Sequence, residues 1–290
     1  MNRILARTLF LLLSFMVLFA SSPTISFAQD PIMTATLKAS DNAAAAAYPA
    51  SMLSAGVWTT GNASGEPYVY QTFGRPNKVI LYLHSWSGDM TQIETSFAAG
   101  LLSVQNAIIV APNFNGPNNT ANALGSADTT DRINSVVTEI RYKTGLSRIY
   151  LVGASGGGME SLLLIGRYPN LVYRASIWLP CYDLVVCYNE TSDPSLKADM
   201  ITVIGSAPTG PNDPRYLARS PRSVLQNFNG SSSKIIINVG SADTTFPPHN
   251  GYDAQAAMLA ASPGSDVTVI LGAYGHAFGD ATALQQLILE

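Results

Sequence analysis

The sequence predicts an α/β fold, with one mostly parallel β-sheet covered by helices on both faces. Nearly continuous apolar runs alternate along the chain with segments in which apolar residues recur at helical spacing. The first pattern is typical of strands buried on both faces of a parallel sheet, and the second is typical of helices packed on such a sheet. Because parallel strands need crossover connections, the alternation predicts right-handed strand–helix–strand units. The sequence contains no internal repeats.

The predicted elements begin with two short strands, Gly56–Thr60 and Pro67–Phe73, on either side of a turn at residues 61–65. Residues 180–232 lose the alternation and are rich in Pro, Asn, Asp and Ser, so we interpret them as a partly helical, lid-like insertion. The other predicted strands are Lys78–Leu83, Asn106–Ala111, the run ending at Gly153, Tyr173–Leu179, Lys234–Gly240 and Asp266–Leu271. The predicted helices are Met90–Gln105, Asp128–Tyr142, the segment through Arg167, Tyr252–Ala261 and Ala281–Glu290.

The N-terminus has the features of a secretory signal. A basic start precedes the apolar run Leu9–Ala20, which is too short for a comfortable membrane span. Ser26-Phe27-Ala28 then offers small residues at the two positions that a signal peptidase reads. We therefore predict a signal peptide at residues 1–28 and a single domain at residues 29–290. An uncleaved membrane anchor is the alternative.

The charge balance argues against a nucleic-acid partner. Cleavage would remove two of the 16 Lys and Arg residues and none of the 19 Asp and Glu residues, which leaves 14 against 19, a net charge of −5. The sequence has no basic patch of the kind that nucleic acids require. Only 12% of the residues are charged, which fits an exported protein acting on neutral substrates.

The chain has two cysteines, Cys181 and Cys187. In an oxidising compartment such a pair is expected to form a short-loop disulfide, and two buried thiols are the alternative. No His or further Cys lies nearby in the sequence to complete a set of metal ligands. We therefore expect no metal site and no cofactor.

The segment Arg148–Ile165 carries the pattern around which the chain is organised. An apolar strand runs into Gly153-Ala154-Ser155-Gly156-Gly157, and a helix-like run follows at once. Gly-x-Ser-x-Gly in this setting is a nucleophile elbow, a sharp strand-to-helix turn that exposes a serine hydroxyl above the sheet. The N–H groups and the positive dipole end of the helix point to the same place. The motif alone can arise by chance, so the prediction depends on the strand and the helix beside it.

Three candidate reactive residues each follow directly after a predicted strand: Ser155, Asp243 and His276. In parallel sheets, ligands bind beyond the carboxyl ends of the strands, so these residues are expected to meet at one edge. A serine hydroxyl becomes a good nucleophile when an imidazole accepts its proton, and a carboxylate on the other ring nitrogen holds the imidazole in the useful tautomer. The order Ser, Asp, His along the chain is that of α/β-hydrolases.

Other residues compete for two of these roles. Asp183 also follows a predicted strand and is the alternative acid to Asp243. Of the other two histidines, His249 lies too close to Asp243 in sequence to bridge easily to the serine. His84 precedes the predicted oxyanion loop, where we expect it to order the turn.

A tetrahedral intermediate needs N–H donors directed at its oxygen. One donor should be the residue after the nucleophile, Gly156, and the other should come from the loop after the strand that ends at Leu83. We predict the backbone N–H of Trp86, with Ser85 as the alternative. The Trp86 side chain either lines the acyl pocket or belongs to the core.

These residues resemble the α/β-hydrolase superfamily, and within it the single-domain, prolyl-oligopeptidase-like and esterase-like group of exported serine hydrolases. The resemblance spreads over roughly residues 78–280 and implies that Ser155 is the nucleophile, Asp243 the acid and His276 the base. Many relatives have His-Gly where this chain has His84-Ser85. The matching segments are Leu83–Asp89, Ala111–Asn119, Arg148–Gly158, Tyr216–Pro221 and the residues around Asp243.

The resemblance implies an α/β-hydrolase fold with one catalytic domain, at residues 29–290. The chain has no room for the β-propeller that gates true oligopeptidases, which favours esters over peptides. We expect a secreted or periplasmic serine hydrolase without a stable membrane anchor, acting on a small-molecule or polymeric carboxylic ester. Acetylated or feruloylated polysaccharides, polyesters and short-chain esters are the candidate substrates. A secreted peptidase with the same triad and a non-catalytic binding protein are the alternatives.

Overall fold

The computed structural model describes residues 57–94, 106–231 and 233–279, and these contain one eight-stranded sheet. The strands are β1 (Thr59–Ala63), β2 (Glu66–Phe73), β3 (Lys78–Leu83), β4 (Ala107–Pro112), β5 (Ile149–Ala154), β6 (Arg174–Trp178), β7 (Lys234–Gly240) and β8 (Asp266–Gly272). Their order across the sheet is β1-β2-β4-β3-β5-β6-β7-β8. The six strands from β3 to β8 are parallel, and β2 pairs antiparallel with both β1 and β4. The predicted α/β-hydrolase fold is confirmed.

Six α-helices lie in the described part of the chain. They are α1 (Ala127–Thr144), α2 (Gly156–Arg167), α3 (Leu184–Glu190), α4 (Pro194–Ile204), α5 (Pro214–Leu217) and α6 (His249–Ala261). Short 3-10 helices lie at Met90–Glu94, Pro221–Ser223 and Leu225–Asn227. None of the helices in this part of the chain is long and apolar enough to cross a membrane.

Helix α1 shows how the local sequence sets an element. It begins after Ser126, whose side chain accepts the Thr129 N–H at 3.3 Å, and it ends at Gly145, which has a φ of 70°. The sequence placed four apolar residues on one face of this helix at helical spacing, and all four are buried: Ile133, Val136, Val137 and Ile140.

The central strands are buried on both faces. In β3, Leu81 belongs to the cluster that packs with α1 and α2, whereas the adjacent Ile80 and Tyr82 belong to the cluster on the opposite face. All six residues of β4 and all six of β5 are also buried. The sheet therefore forms the core of the fold, and the loops at its carboxyl edge start from buried strands.

The first hairpin differs from its prediction. Strand β1 covers Thr59–Ala63 rather than residues 56–60, and the turn is reduced to Ser64 and Gly65. Both turn residues have positive φ, 53° and 93°, and the Asn62 side chain accepts the Gly65 N–H at 2.8 Å. Two positive φ values suit a tight two-residue hairpin turn, so the strand continues further than the turn-like composition suggested.

Several helix bounds also differ. Helix α1 extends the predicted 128–142 at both ends, and α6 begins at His249 rather than at Tyr252. Of the predicted helix at 90–105, only a 3-10 turn at Met90–Glu94 is described. The rest of that helix, the predicted signal at residues 1–28 and the helix at 281–290 lie outside the described residues.

The insertion at residues 180–232 is more regular than predicted. It contains α3, α4 and α5, and each of these helices begins with an aspartate that accepts backbone N–H groups: Asp183, Asp193 and Asp213. In α4 and α5 a proline occupies the first helical position. Asp-Pro is a helix-start signal that the sequence analysis did not use.

Candidate active site

Ser155 lies at the sharp turn between β5 and α2. Its backbone has φ 55° and ψ −118°, a conformation that a residue with a Cβ adopts only when its surroundings impose it. The Ser155 N–H donates to the Trp178 carbonyl at 2.9 Å, which ties the turn to the neighbouring strand β6. The result is a nucleophile elbow with the serine at the carboxyl edge of the sheet.

Two glycines allow this turn to close. A Cβ added to Gly153 would lie 2.3 Å from the Gly157 carbonyl oxygen. A Cβ added to Gly157 would lie 2.1 Å from the Leu83 carbonyl oxygen. Both distances are far inside van der Waals contact with backbone atoms, so a side chain at either position would push α2 away from the sheet.

The loops after β5, β7 and β8 bring three predicted site residues together. The Ser155 Oγ lies 2.8 Å from His276 Nε2, and the His276 Nδ1 lies 2.8 Å from Asp243 Oδ2. The Asp243 side chain is fully buried, and a quarter of the His276 side chain is exposed. The three groups therefore form one hydrogen-bonded chain from a buried carboxylate to a hydroxyl.

The Asp243 carboxylate is fixed independently of the histidine. Its Oδ1 accepts the backbone N–H groups of Thr245 at 2.8 Å and of Phe246 at 2.9 Å. Only Oδ2 is then directed at His276. The Phe246 ring also packs edge-on against the imidazole, with the ring centroids 5.3 Å apart. These contacts hold the imidazole in the orientation that general-base chemistry needs.

The structure separates the rival acid from the histidine. Asp183 caps α3 by accepting the Val185 N–H at 2.9 Å through Oδ1. Its other oxygen, Oδ2, accepts a hydrogen bond from Arg222 Nη1 at 2.8 Å. Both oxygens are therefore used by structural partners, and the acid in contact with His276 is Asp243.

The other two histidines do not reach Ser155. His249 lies between Glu190 and Asp253; although burial lowers its pKa, these two carboxylates raise it more. His84 is buried, and its ring nitrogens lie 3.0 Å from the Ser85 carbonyl and 2.8 Å from the Asn113 carbonyl. Burial lowers the pKa of His84, and a neutral imidazole donates to only one of these carbonyls at a time.

The Ser85–Trp86 peptide has a defined orientation. The Ser85 carbonyl accepts the Gly88 N–H at 3.1 Å. In a planar trans peptide the N–H points opposite to the C=O, so the Trp86 N–H points away from Gly88. A Cβ added to Gly156 would lie 2.5 Å from the Trp86 nitrogen, so this nitrogen lies against the first residue of α2.

The two predicted oxyanion donors, Trp86 and Gly156, lie in adjacent backbone segments. Gly156 is the first residue of α2, where backbone N–H groups have no intrahelical acceptor. The Trp86 nitrogen lies beside it. The Ser85 N–H, which was the alternative donor, instead donates to Gln92 Oε1 at 2.8 Å. This contact leaves Trp86, rather than Ser85, as the candidate for the second oxyanion donor beside Gly156.

A cavity of about 350 Å³ opens above Ser155. Trp86 and Leu179 are among its apolar lining residues, and Asp193, which caps α4, and Asp199, within α4, also line it. The Trp86 indole Nε1 donates to Asp199 Oδ2 at 2.9 Å. Helix α4 of the insertion thus contacts the loop after β3 directly, and no local sequence signal pairs two residues so far apart.

Cys181 and Cys187 form a disulfide, with their Cα atoms 6.2 Å apart. The bond confirms the predicted disulfide, and the alternative of two buried thiols is wrong. It lies at the start of the insertion, where it closes a short loop that includes the Asp183 cap of α3. Among the described residues, no three His, Cys, Asp or Glu side chains are grouped so that they could hold a metal ion.

Glu160, on α2, is a buried acid that the sequence analysis did not single out. Its Oε1 accepts the Gly125 N–H at 2.7 Å, whereas Oε2 has no hydrogen-bond partner among the described residues. Burial raises the pKa of Glu160 to about 7, although the Gly125 N–H and the charges of Arg167 and Arg219 oppose the rise. The carboxyl is therefore more easily protonated in the folded chain than in the unfolded one.

We expect Glu160→Gln to flatten the pH dependence of stability. The folded pKa of about 7 exceeds the usual 4.5, so the folded state binds more protons between these pH values and stability falls as pH rises through them. The fall is worth roughly 3 kcal/mol. Urea unfolding at pH 5 and pH 8 checks this, with Glu94→Gln on the surface as the control. Equal losses in Glu160→Gln and the wild-type protein would contradict the prediction.

The fold and this arrangement define a serine hydrolase of the α/β-hydrolase superfamily. A sequence model described as the prolyl oligopeptidase family matches residues 95–287, which are 193 of the 290 residues. The chain belongs to the prolyl oligopeptidase family.

Two curated relatives are esterases. The chain is 27% identical to acetylxylan esterase A of Emericella nidulans over 113 residues, which cover 39% of this chain and 36% of that protein. It is 25% identical to acetylxylan esterase A of Talaromyces purpureogenus over 130 residues, which cover 44% of this chain and 33% of that protein. The matches thus span about a third of the length of each relative.

Solved structures with the same fold include peptidases. A puromycin-hydrolyzing peptidase of Mycobacterium tuberculosis superposes with a TM-score of 0.62 at 13% identity, covering 79% of this chain and 37% of that one. The acylaminoacyl peptidase of Pyrococcus horikoshii superposes with a TM-score of 0.58 at 15% identity, covering 76% and 37%. At these identities the likeness shows a shared fold.

Proposed function

We propose that this protein is a secreted or periplasmic carboxylic ester hydrolase that works through an acyl-serine intermediate. The proposal rests on the hydrogen-bonded chain from Asp243 through His276 to Ser155, which ends at the cavity that Trp86 also lines. Export is proposed from the signal-like residues 1–28.

In the first step, His276 Nε2 accepts the Ser155 hydroxyl proton while Oγ attacks the acyl carbon. Asp243 accepts the Nδ1–H and stabilises the imidazolium that forms. The carbonyl oxygen becomes an oxyanion, and the N–H groups of Trp86 and Gly156 bind it. Collapse breaks the bond to the alcohol oxygen, which takes the proton from His276 and leaves as the alcohol.

The second step restores the enzyme. Water gives a proton to His276 Nε2 and attacks the acyl carbon, so a second oxyanion occupies the same two N–H groups. Its collapse breaks the bond to Ser155 Oγ, which takes the proton back from His276. The acid product leaves and the triad is ready for another ester.

The ester assignment is supported by the two acetylxylan esterase relatives. The cavity wall is a second support, since Asp193 and Asp199 are among its lining residues and two acidic residues there would repel an acidic substrate. A neutral acyl group on a hydroxylated alcohol, such as an acetylated polysaccharide, suits this lining and a cavity of about 350 Å³.

A peptidase is the second candidate, because the chain belongs to the prolyl oligopeptidase family and shares its fold with acylaminoacyl and puromycin-hydrolyzing peptidases. Acetate release from acetylated xylan should be compared with cleavage of a panel of aminoacyl p-nitroanilides. We expect sustained acetate release and little amide cleavage, both absent in Ser155→Ala. Efficient amide cleavage without acetate release would favour the peptidase instead.

A further inference from the structure

Gln92 contacts the oxyanion loop through both atoms of its side-chain amide. Its Oε1 accepts the Ser85 backbone N–H at 2.8 Å, and its Nε2 donates to the Ser85 hydroxyl at 2.6 Å. Gln92 belongs to the 3-10 helix at Met90–Glu94, seven residues further along the chain. One side chain thus holds the backbone and the side chain of the residue before Trp86.

The direction of the Gln92 amide is set by a third contact. The hydroxyl of Tyr82, which is buried in β3, donates to Gln92 Oε1 at 3.0 Å. Because Oε1 receives two donors, the Nε2 group must face the Ser85 hydroxyl, which can accept from it. We call these contacts of Gln92 with Ser85 and Tyr82 the clamp. The clamp connects the loop after β3 to a core strand of the sheet.

The Ser85 hydroxyl is one of the two groups of this residue that Gln92 holds. A glycine at this position would have no hydroxyl to accept from Nε2. Glycine also leaves the backbone freer than serine does. At Ser85, three groups are held: the hydroxyl and the N–H by Gln92, and the carbonyl by the Gly88 N–H.

Holding Ser85 in place also restricts the backbone N–H of the next residue, Trp86. With the Ser85 N–H and carbonyl both fixed, the Ser85–Trp86 peptide plane cannot rotate freely, and the Trp86 N–H keeps its direction beside Gly156. An oxyanion donor stabilises the transition state only when it is placed before the charge develops. The clamp also withdraws the Ser85 N–H from competition for the substrate oxygen.

We propose that Gln92 is a positioning residue for the oxyanion hole, acting through Ser85 on the Trp86 N–H. This inference rests on the proposed esterase function. A donor that is misplaced rather than deleted should cost less than the 10²–10³-fold in kcat typical of a lost oxyanion donor, so we expect a fall of about 10- to 100-fold.

The test compares Gln92→Met, which keeps the length of the side chain and removes both polar atoms, with Gln226→Met at an exposed position as the matched control. Kinetics with p-nitrophenyl acetate should show the fall in kcat with little change in KM for Gln92→Met and wild-type values for Gln226→Met. Ser85→Ala, which removes only the hydroxyl contact, should show a smaller fall in kcat. The effect of Gln92→Met should shrink in the Ser85→Ala background, because the two changes remove a shared interaction.

A trifluoromethyl ketone separates positioning from general damage to the fold. It adds to the active-site serine and leaves an oxyanion in the hole, so its Ki should rise in Gln92→Met in proportion to the loss of kcat/KM. A variant that merely folded less well would lose kcat but keep the wild-type Ki. Unchanged kcat, or a lower kcat with an unchanged Ki, would overturn the inference while leaving the esterase intact. No turnover in the wild-type protein would contradict the proposed function and this inference with it.

Discussion

We expect His276→Ala to lower kcat/KM for a carboxylic ester by about 10⁴- to 10⁶-fold, with the protein still folded. The imidazole is the group in contact with the Ser155 hydroxyl, at 2.8 Å, and without it the hydroxyl has no base to accept its proton. His276 is partly exposed and lines the cavity above Ser155, so water can fill the space that the imidazole leaves. Ester turnover and thermal unfolding should be measured on the same preparation.

His249→Ala is the matched control. His249 is a more exposed histidine that contacts Glu190 and Asp253 rather than the serine. The His249→Ala variant should keep wild-type turnover. A near-normal rate in His276→Ala, or a collapse of activity in His249→Ala with the fold intact, would mean that the base is wrongly assigned.

Asp243→Asn should lower kcat by about 10⁴-fold, the loss measured for the same change in a serine-protease triad. Asparagine Oδ1 can still accept the N–H groups of Thr245 and Phe246, so the loop keeps its shape. The amide NH₂ would then face His276 Nδ1 as a donor. This contact selects the tautomer whose proton is on Nε2, which cannot accept a proton from the serine.

The alternative acid supplies a control of the same chemistry. Asp183→Asn keeps a good helix cap on α3 and loses charge only in the pair with Arg222. Turnover should stay at the wild-type level. If Asp183→Asn lost activity and Asp243→Asn did not, the carboxylate that supports the histidine would have to be reassigned.

The parallel core could be predicted from the sequence because its strands are buried on both faces. An apolar run such as Lys78–Leu83 needs no knowledge of its neighbours to be recognised as a strand, and its observed bounds match the prediction. The candidate site followed from the same logic. Ser155, Asp243 and His276 come directly after strands, and parallel strands end at one edge.

The contacts made across that edge could not be predicted in the same way. Trp86 bonds to Asp199, and the two residues are 113 positions apart in the chain. Gln92 is close to Ser85 in sequence, but its contact depends on a 3-10 conformation at Met90–Glu94, which the helical pattern did not specify. Such pairings depend on how loops pack over the sheet, which hydrophobic periodicity does not encode.

The positions of the helices in the insertion were not predicted, for a different reason. The insertion was predicted to be partly helical, but without bounds for its helices, and two of them start at Asp193 and Asp213, each of which precedes a proline. Turn-forming residues such as these also serve as helix caps, so composition alone does not separate a loop from a series of short helices.

The central claim is that Ser155 is an activated nucleophile, and covalent labelling tests it most directly. The protein should be treated with a fluorophosphonate at neutral pH and digested, and the modified peptide should be identified by mass spectrometry. We predict one adduct, on Ser155, that is absent from Ser155→Ala and strongly slowed in His276→Ala. The absence of an adduct on Ser155, or ester turnover that persists in Ser155→Ala, would contradict the account.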